Sequence, residues 1–308
     1  MRAFIFPGQG SQSVGMGAAL AEASRAAKDV FGDVDEALGQ NLFRLMREGP
    51  DDELKLTENA QPAIMAHSIA VLRTLGVDLA DAASFVAGHS LGEYSALCAA
   101  GSFDLATSAK LLKLRGQAMQ AAVPVGKGGM CALLGADLPM ARRIAEAAAQ
   151  GEVCTVANDN DPGQVVLSGD KGAIDRAVEM AKQMGARRAV PLPVSAPFHC
   201  PLMKPAAEAM SDALSYVVLG TPTAPVFANV TAKAESDPDT IRGLLVDQVT
   251  GMVRWRESVA NMAEAGVEDF VEIGGKVLGP MVKRIVPDVK VTSVVTIDDV
   301  EALAKEIA

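Results

Sequence analysis

Apolar residues gather in short unbroken runs near the start of the chain and again before residue 88, and each run gives way to glycine. Ala3–Phe6 reads as a buried strand that ends at PGQGSQ, and helical spacing follows through about residue 48. Ile64, Ile69, Val71 and Leu72 supply the apolar positions of a helix over Gln61–Leu75, with Pro62 tolerable in its first turn. A second strand, Phe85–Ala87, leads through a glycine turn into a helix over Leu91–Ala100. Strand, glycine-bearing loop, helix and strand in this order predict an α/β fold with a parallel sheet. Such sheets hold ligands at the carboxyl ends of their strands.

The pattern changes at Val123–Met130, where PVGKGGM reads as a flexible crossing. Beyond it the spacing predicts strand Cys131–Leu134, helix Pro139–Ala149, strands Val153–Ala157 and Gln164–Ser168, helix Ile174–Gln183 and strand Arg187–Pro191. That is βαββαβ, the order of a ferredoxin-like unit. The expected architecture is a hydrolase-like large α/β domain, residues 1–124 and 196–308, interrupted by a small ferredoxin-like domain at 125–195. Three late strands, Val226–Asn229, Asp269–Glu272 and Val291–Val294, should rejoin the large sheet.

With 308 residues, the chain is long enough for a large core and a second, smaller domain. Its formal net charge of -10 argues against general nucleic-acid binding. The four cysteines are dispersed without CxxC spacing, which fits reduced thiols rather than a disulfide framework or a zinc site. The first apolar run has only four residues before Pro7, too short for a signal-peptide core, and no later window reaches a membrane-spanning length. A cytoplasmic protein that does not engage a membrane is therefore the expectation.

The stretch VAGHSLGEYSAL contains G-x-S-x-G, centred on Ser90. In a nucleophile elbow the flanking glycines are needed because the strand-to-helix turn leaves no room for side chains. The amide of Leu91 would then lie at a helix N-terminus, suited to an oxyanion. The bland alternative is a serine that caps the helix. A serine nucleophile needs a base, and three histidines are available. His89 adjoins the serine on a sharp turn, and His67 lies in the apolar helix AIMAHSIAVL. His199, in PVSAPFHCPLM, is the candidate by elimination, unless it is a loop histidine satisfied elsewhere. Cys200 beside it raises a Cys–His pair, but adjacent side chains in extended chain diverge.

Arg115 shares a helical stripe with Leu105, Ser108, Leu112 and Met119, so it should face the apolar side. Either it forms an internal salt bridge, or its fixed fork awaits a substrate carboxylate. PGQGS fails the dinucleotide fingerprint, because Ser13 stands where the third glycine belongs. It could instead present Gln9 and backbone amides near Ser90.

Taken together, FPGQGSQ, ENAQPA, GHSLGEYSAL, LRGQAMQ, SAPFH, FANV and EIGGKVL follow one another as they do in malonyl-CoA:acyl carrier protein transacylases, which the chain closely resembles from end to end. The resemblance implies that Ser90 accepts a malonyl ester from malonyl-CoA, releasing coenzyme A, and that His199 serves as base. It implies that Arg115 holds the free carboxylate, that the amides of Gln9 and Leu91 form the oxyanion hole, and that Gln248 orients His199 through a carbonyl. Gln61 and Asn229 would shape the pocket, and Phe198 would suit a small, unbranched acyl group. The resemblance further implies that the second substrate is the phosphopantetheine thiol of acyl carrier protein, reached by ping-pong transfer without metal or redox cofactor.

A local basic cluster, Lys276, Lys283 and Arg284, is expected to face that acidic carrier. Two departures stand out: Met252 where many members carry proline, and EIGGKVL one residue short of the common form. The rival readings are a serine thioesterase, which has no general need for Arg115, and a noncatalytic carrier-binding scaffold, which would acquire no acyl group.

Overall fold

The computed structural model describes residues 1–307. It is a mixed α/β fold whose largest sheet is mainly parallel. Strands β1 (Arg2–Phe6) and β2 (Phe85–Gly88) lie side by side at its centre. The second sheet takes β3 (Gly128–Leu134), β4 (Cys154–Asp161), β5 (Gln164–Asp170) and β6 (Arg188–Pro191). The chain then returns with β7 (Val226–Phe227), β8 (Ala234–Glu235), β9 (Asp269–Ile273) and β10 (Lys290–Val294). The six-stranded order is β10-β9-β1-β2-β7-β8, parallel except for the β7/β8 pair.

Period-2 alternation explains why the central strands are apolar throughout. Phe4 and Phe6 of β1 face one buried cluster, and Ala3 and Ile5 face another. A sheet covered on both sides has no polar face to show. The first cluster is roofed by the helix Thr57–Leu75, which is buried on nearly every side. The second is closed by the helices Trp255–Glu264 and Leu278–Ile285.

The smaller sheet, ordered β4-β5-β3-β6, is antiparallel throughout and carries two helices, Leu138–Ala149 and Lys171–Ala181, over its own apolar cluster. It is joined to the rest of the chain along β4. Asn158 pairs in parallel with Val253, Asp159 N–H donates to the Val253 carbonyl at 2.9 Å, and Val253 N–H donates to the Ala157 carbonyl at 2.8 Å. Arg256 grips Asp159 and Arg284 grips Asp161, both at 2.7 Å.

Three expectations need correction. The first is the helix over Gln61–Leu75, which begins four residues earlier, at Thr57, so Pro62 lies beyond the first turn and removes an N–H that would have reached Glu58. Gly128–Met130, read as crossing, is already strand; a Cβ on Gly128 would come within 2.3 Å of the Pro197 ring, so glycine permits that close approach. Finally, β4 runs on through the polar stretch NDND, whose charges are met by the two arginines. No described helix is long and apolar enough to cross a membrane.

Candidate active site

Ser90 lies between the end of β2 and the helix Gly92–Ala99, with φ of 55°, a left-handed conformation uncommon for a residue with a side chain. Both neighbouring glycines are sterically required. A Cβ on Gly88 would lie 1.9 Å from the Gly92 carbonyl carbon, and one on Gly92 would lie 2.3 Å from the Phe6 carbonyl oxygen. The turn thus presses the helix start against β1 and lifts the hydroxyl above the strand ends.

His199 arrives on the loop that follows β6, also at positive φ, 56°. Its Nε2 is 2.7 Å from Ser90 Oγ, and its Nδ1 is 2.8 Å from the main-chain carbonyl of Gln248. A carbonyl accepts only, so Nδ1 carries the proton and Nε2 presents its lone pair to the serine. The residue is 4% exposed. Burial, then the nearby Arg115 cation, push its pKa down to about 3, so near neutral pH the imidazole is an uncharged acceptor.

Arg115 is 1% exposed. Gly116 lets its helix, Leu105–Ala122, come close to the start of Thr57–Leu75: a Cβ there would meet Glu58 Cα at 2.5 Å. The guanidinium donates to Gln61 Oε1 at 2.7 Å, Gln248 Oε1 at 2.7 Å and Ser90 Oγ at 3.2 Å. All three acceptors are neutral. Among the described residues no carboxylate lies within ion-pair distance of it, and its Nε has no partner. The internal salt bridge considered from sequence is therefore not what Arg115 makes.

Asn229 Oδ1 accepts from Ser90 N–H at 2.8 Å, while its Nδ2 donates to the Gly88 carbonyl at 2.7 Å, bracing both sides of the turn. The main-chain N–H groups of Gln9 and Leu91 have no acceptor among the described residues. They border a cavity of about 390 Å³ that also reaches Ser90, Arg115, Gln61, His199 and Phe198. A hydroxyl beside a neutral imidazole, with a buried cation and two free amides in one pocket, is equipped for nucleophilic attack on an acyl group that carries an anion.

The sequence reading did not single out Glu93. Its buried carboxylate accepts from Asn229 N–H at 3.0 Å and Gln248 Nε2 at 2.8 Å, behind the nucleophile. A charged residue three places after the serine, at the start of a helix, looked like an ordinary first-turn acid. Burial pushes the Glu93 pKa up from 4.5 to about 7, against the lowering pull of those bonds and of Arg115. Between these values the native state keeps a proton that the unfolded chain has released. This contribution to stability is complete below 4.5 and is lost as the pH rises through 7. Melting temperatures taken across that window should fall with pH more steeply for the native protein than for Glu93→Gln; equal slopes would refute the assignment.

His67 bonds the Gly274 carbonyl at 3.1 Å, His89 bonds Asn160 at 2.8 Å, and Cys200 is turned to the Pro197 carbonyl at 3.2 Å. The basic residues are not three free cations. Arg284 is committed to Asp161, Lys283 Nζ donates to the carbonyls of Pro287 and Val289, and Lys276 lies 3.8 Å from Asp299. In the EIGGKVL segment, Glu272 is buried and caps the helix Leu278–Ile285, accepting from the amides of Val277, Leu278 and Gly279.

With this geometry in view, the model of the acyl transferase domain matches residues 3–284. The chain belongs to the acyl transferase family. Among relatives of this acyl transferase, the malonyl CoA-acyl carrier protein transacylase of Escherichia coli (strain K12) is 46% identical over 285 residues, 92% of each chain. That of Bacillus subtilis (strain 168) is 44% identical, over 92% of this chain and 90% of its own. The crystal structure of an acyl-carrier-protein-S-malonyltransferase from Bartonella henselae superposes with a TM-score of 0.97 at 51% identity, covering 99% of both chains. A type II PKS acyl-carrier protein in complex with its malonyl-transacylase superposes at 0.96 with 42% identity, again over 99% of both chains.

Proposed function

We propose that this acyl transferase moves a malonyl group from malonyl-CoA to the phosphopantetheine thiol of acyl carrier protein, through a malonyl ester on Ser90. The observation that carries the reading is Arg115, a buried cation without a carboxylate partner, with its guanidinium 3.2 Å from Ser90 Oγ. A buried charge left uncompensated is costly; a substrate carboxylate would supply the missing anion. The names of the relatives support the same substrates.

In the first half-reaction, His199 Nε2 takes the Ser90 proton as Oγ attacks the thioester carbonyl. The developing oxyanion accepts from the Gln9 and Leu91 amides, and the carbon–sulfur bond breaks as His199 returns the proton to coenzyme A. In the second, the carrier thiol gives its proton to His199 and attacks the ester carbonyl. The new thioester forms, and Ser90 leaves with the proton. Gln248 holds the histidine tautomer through its main-chain carbonyl, Gln61 and Gln248 orient the guanidinium, and Asn229 keeps the elbow. Phe198 bounds the acyl space. These steps use the chain's own groups and call for no metal or redox cofactor.

The βαββαβ segment at 125–195 is proposed as a small ferredoxin-like domain inserted into a large domain of residues 1–124 and 196–308. Lys276, Lys283 and Arg284 are proposed to meet the carrier, with Lys276, 62% exposed, offering the freest charge. A cytoplasmic setting suits both substrates.

The test is intact-protein mass after brief mixing with malonyl-CoA, then with holo carrier. The native chain should gain one malonyl group and pass it to the carrier, whereas Ser90→Ala should gain none. An adduct lost only to water would favour a thioesterase, and labelling of Ser90→Ala would refute the nucleophile.

A further inference from the structure

Between Arg115 and the oxyanion loop runs a chain of three hydrogen bonds with a single direction. Arg115 Nη1 donates to Gln61 Oε1 at 2.7 Å, Gln61 Nε2 donates to Thr57 Oγ1 at 2.9 Å, and Thr57 Oγ1 donates to Gln9 Oε1 at 3.0 Å. The guanidinium fixes the sense of the first two bonds, because it can only donate. Gln61 must turn its oxygen to the arginine and its NH2 group to Thr57. The threonine hydroxyl, accepting from Gln61, donates its proton to Gln9 Oε1. Bonds aligned in this way polarise one another, most strongly beside a charge in a dry interior.

Thr57 is the middle of that chain, 1% exposed and at the first position of its helix. On one side it is fastened by the close crossing at Gly116. On the other it holds the side chain of an exposed loop residue: Gln9 has no other side-chain bond among the described residues. The loop's other side-chain bonds are internal, Gly10 N–H to Gln12 Oε1 and Ser11 Oγ to the Gly8 carbonyl, and the next tie to another element is at Gly15, whose N–H donates to the Met46 carbonyl at 2.8 Å.

We propose that Thr57 is a positioning residue that sets the distance between the carboxylate-holding guanidinium and the oxyanion amide of Gln9, and so contributes to the preference for malonyl over acetyl groups. The inference rests on the function proposed above. A malonyl thioester is fixed at two points, its carboxylate on Arg115 and its carbonyl oxygen at the amides, so any error in their separation falls on the reacting carbon. An acetyl thioester is fixed only at the carbonyl end and follows the loop wherever it goes. Errors of alignment at a reacting centre act on the rate more than on binding.

The experiment is rapid-quench acylation of Ser90, read by intact mass, with malonyl-CoA and with acetyl-CoA. Thr57→Val keeps the shape and removes the hydroxyl; Thr57→Ser keeps the hydroxyl. Thr57→Val should slow malonyl acylation by about tenfold, with KM little changed and acetyl acylation altered by less than about threefold. Thr57→Ser should restore the native selectivity. Should Thr57→Val fail to fold, Gln9→Leu cuts the same chain at its exposed end and should produce the same fall in selectivity. Equal losses for both acyl groups, or no loss, would overturn the proposal. Native protein that takes no malonyl group on Ser90 would instead overturn the function on which it rests.

Discussion

His199→Ala will acylate Ser90 about 10²–10⁴-fold more slowly than the native protein. The imidazole is the one base poised to take the serine proton, with Nε2 at 2.7 Å and its far nitrogen fixed by the Gln248 carbonyl. No neighbour is placed to replace it. His89 and His67 are tied to Asn160 and Gly274, and the Glu93 carboxylate is directed at Asn229 and Gln248. The pH profile supplies a second check. Since burial and Arg115 lower the His199 pKa to about 3, the neutral form persists well below its ordinary 6.5. Acylation by the native protein should therefore stay level as the pH falls through 6.5. A loss of rate centred there would mean an imidazole that titrates in the usual way. A variant rate within about fivefold of native would mean that His199 is not the base.

Arg115→Met should lower malonyl acylation by about 10²–10³-fold while changing acetyl acylation far less. Methionine fills similar space without charge or donors, and losing a buried charge-assisted partner costs roughly 2–5 kcal/mol. Some of that loss is structural, because Gln61 and Gln248 each lose their donor to Oε1. The comparison of acyl groups separates the two effects: disorder penalises both, whereas the missing fork penalises only the substrate with a carboxylate. Arg115→Lys retains charge but not the planar fork and should fall between. Malonyl and acetyl rates that drop together would make Arg115 a scaffold cation.

Ser90 and its glycines were legible in the sequence because the elbow's steric demand leaves few residue choices. Arg115 was legible because a charge on an apolar stripe conflicts with its surroundings. With only three histidines, elimination reached His199. What escaped detection depends on distant chain. The NDND run of β4 reads locally as loop, and only Arg256 and Arg284, about a hundred residues later, make it affordable as buried strand. Thr57 and Glu93 look like first-turn residues of their helices, and their bonds to Gln9, Asn229 and Gln248 have no local spacing to betray them. β8 has two residues, too few for any period to register.

The pocket's walls come from different pieces of chain. Ser90 stands on the turn between β2 and its following helix and Arg115 on the helix Leu105–Ala122, whereas Met130 lies in β3 of the antiparallel sheet and Leu192–Val194 on the segment leaving β6. Reactivity and capacity are thus written in separable stretches of sequence. Descendants of such a chain can explore bulkier or slimmer cargo by drift in one stretch while the other, whose glycines tolerate no added atom, stays as it is.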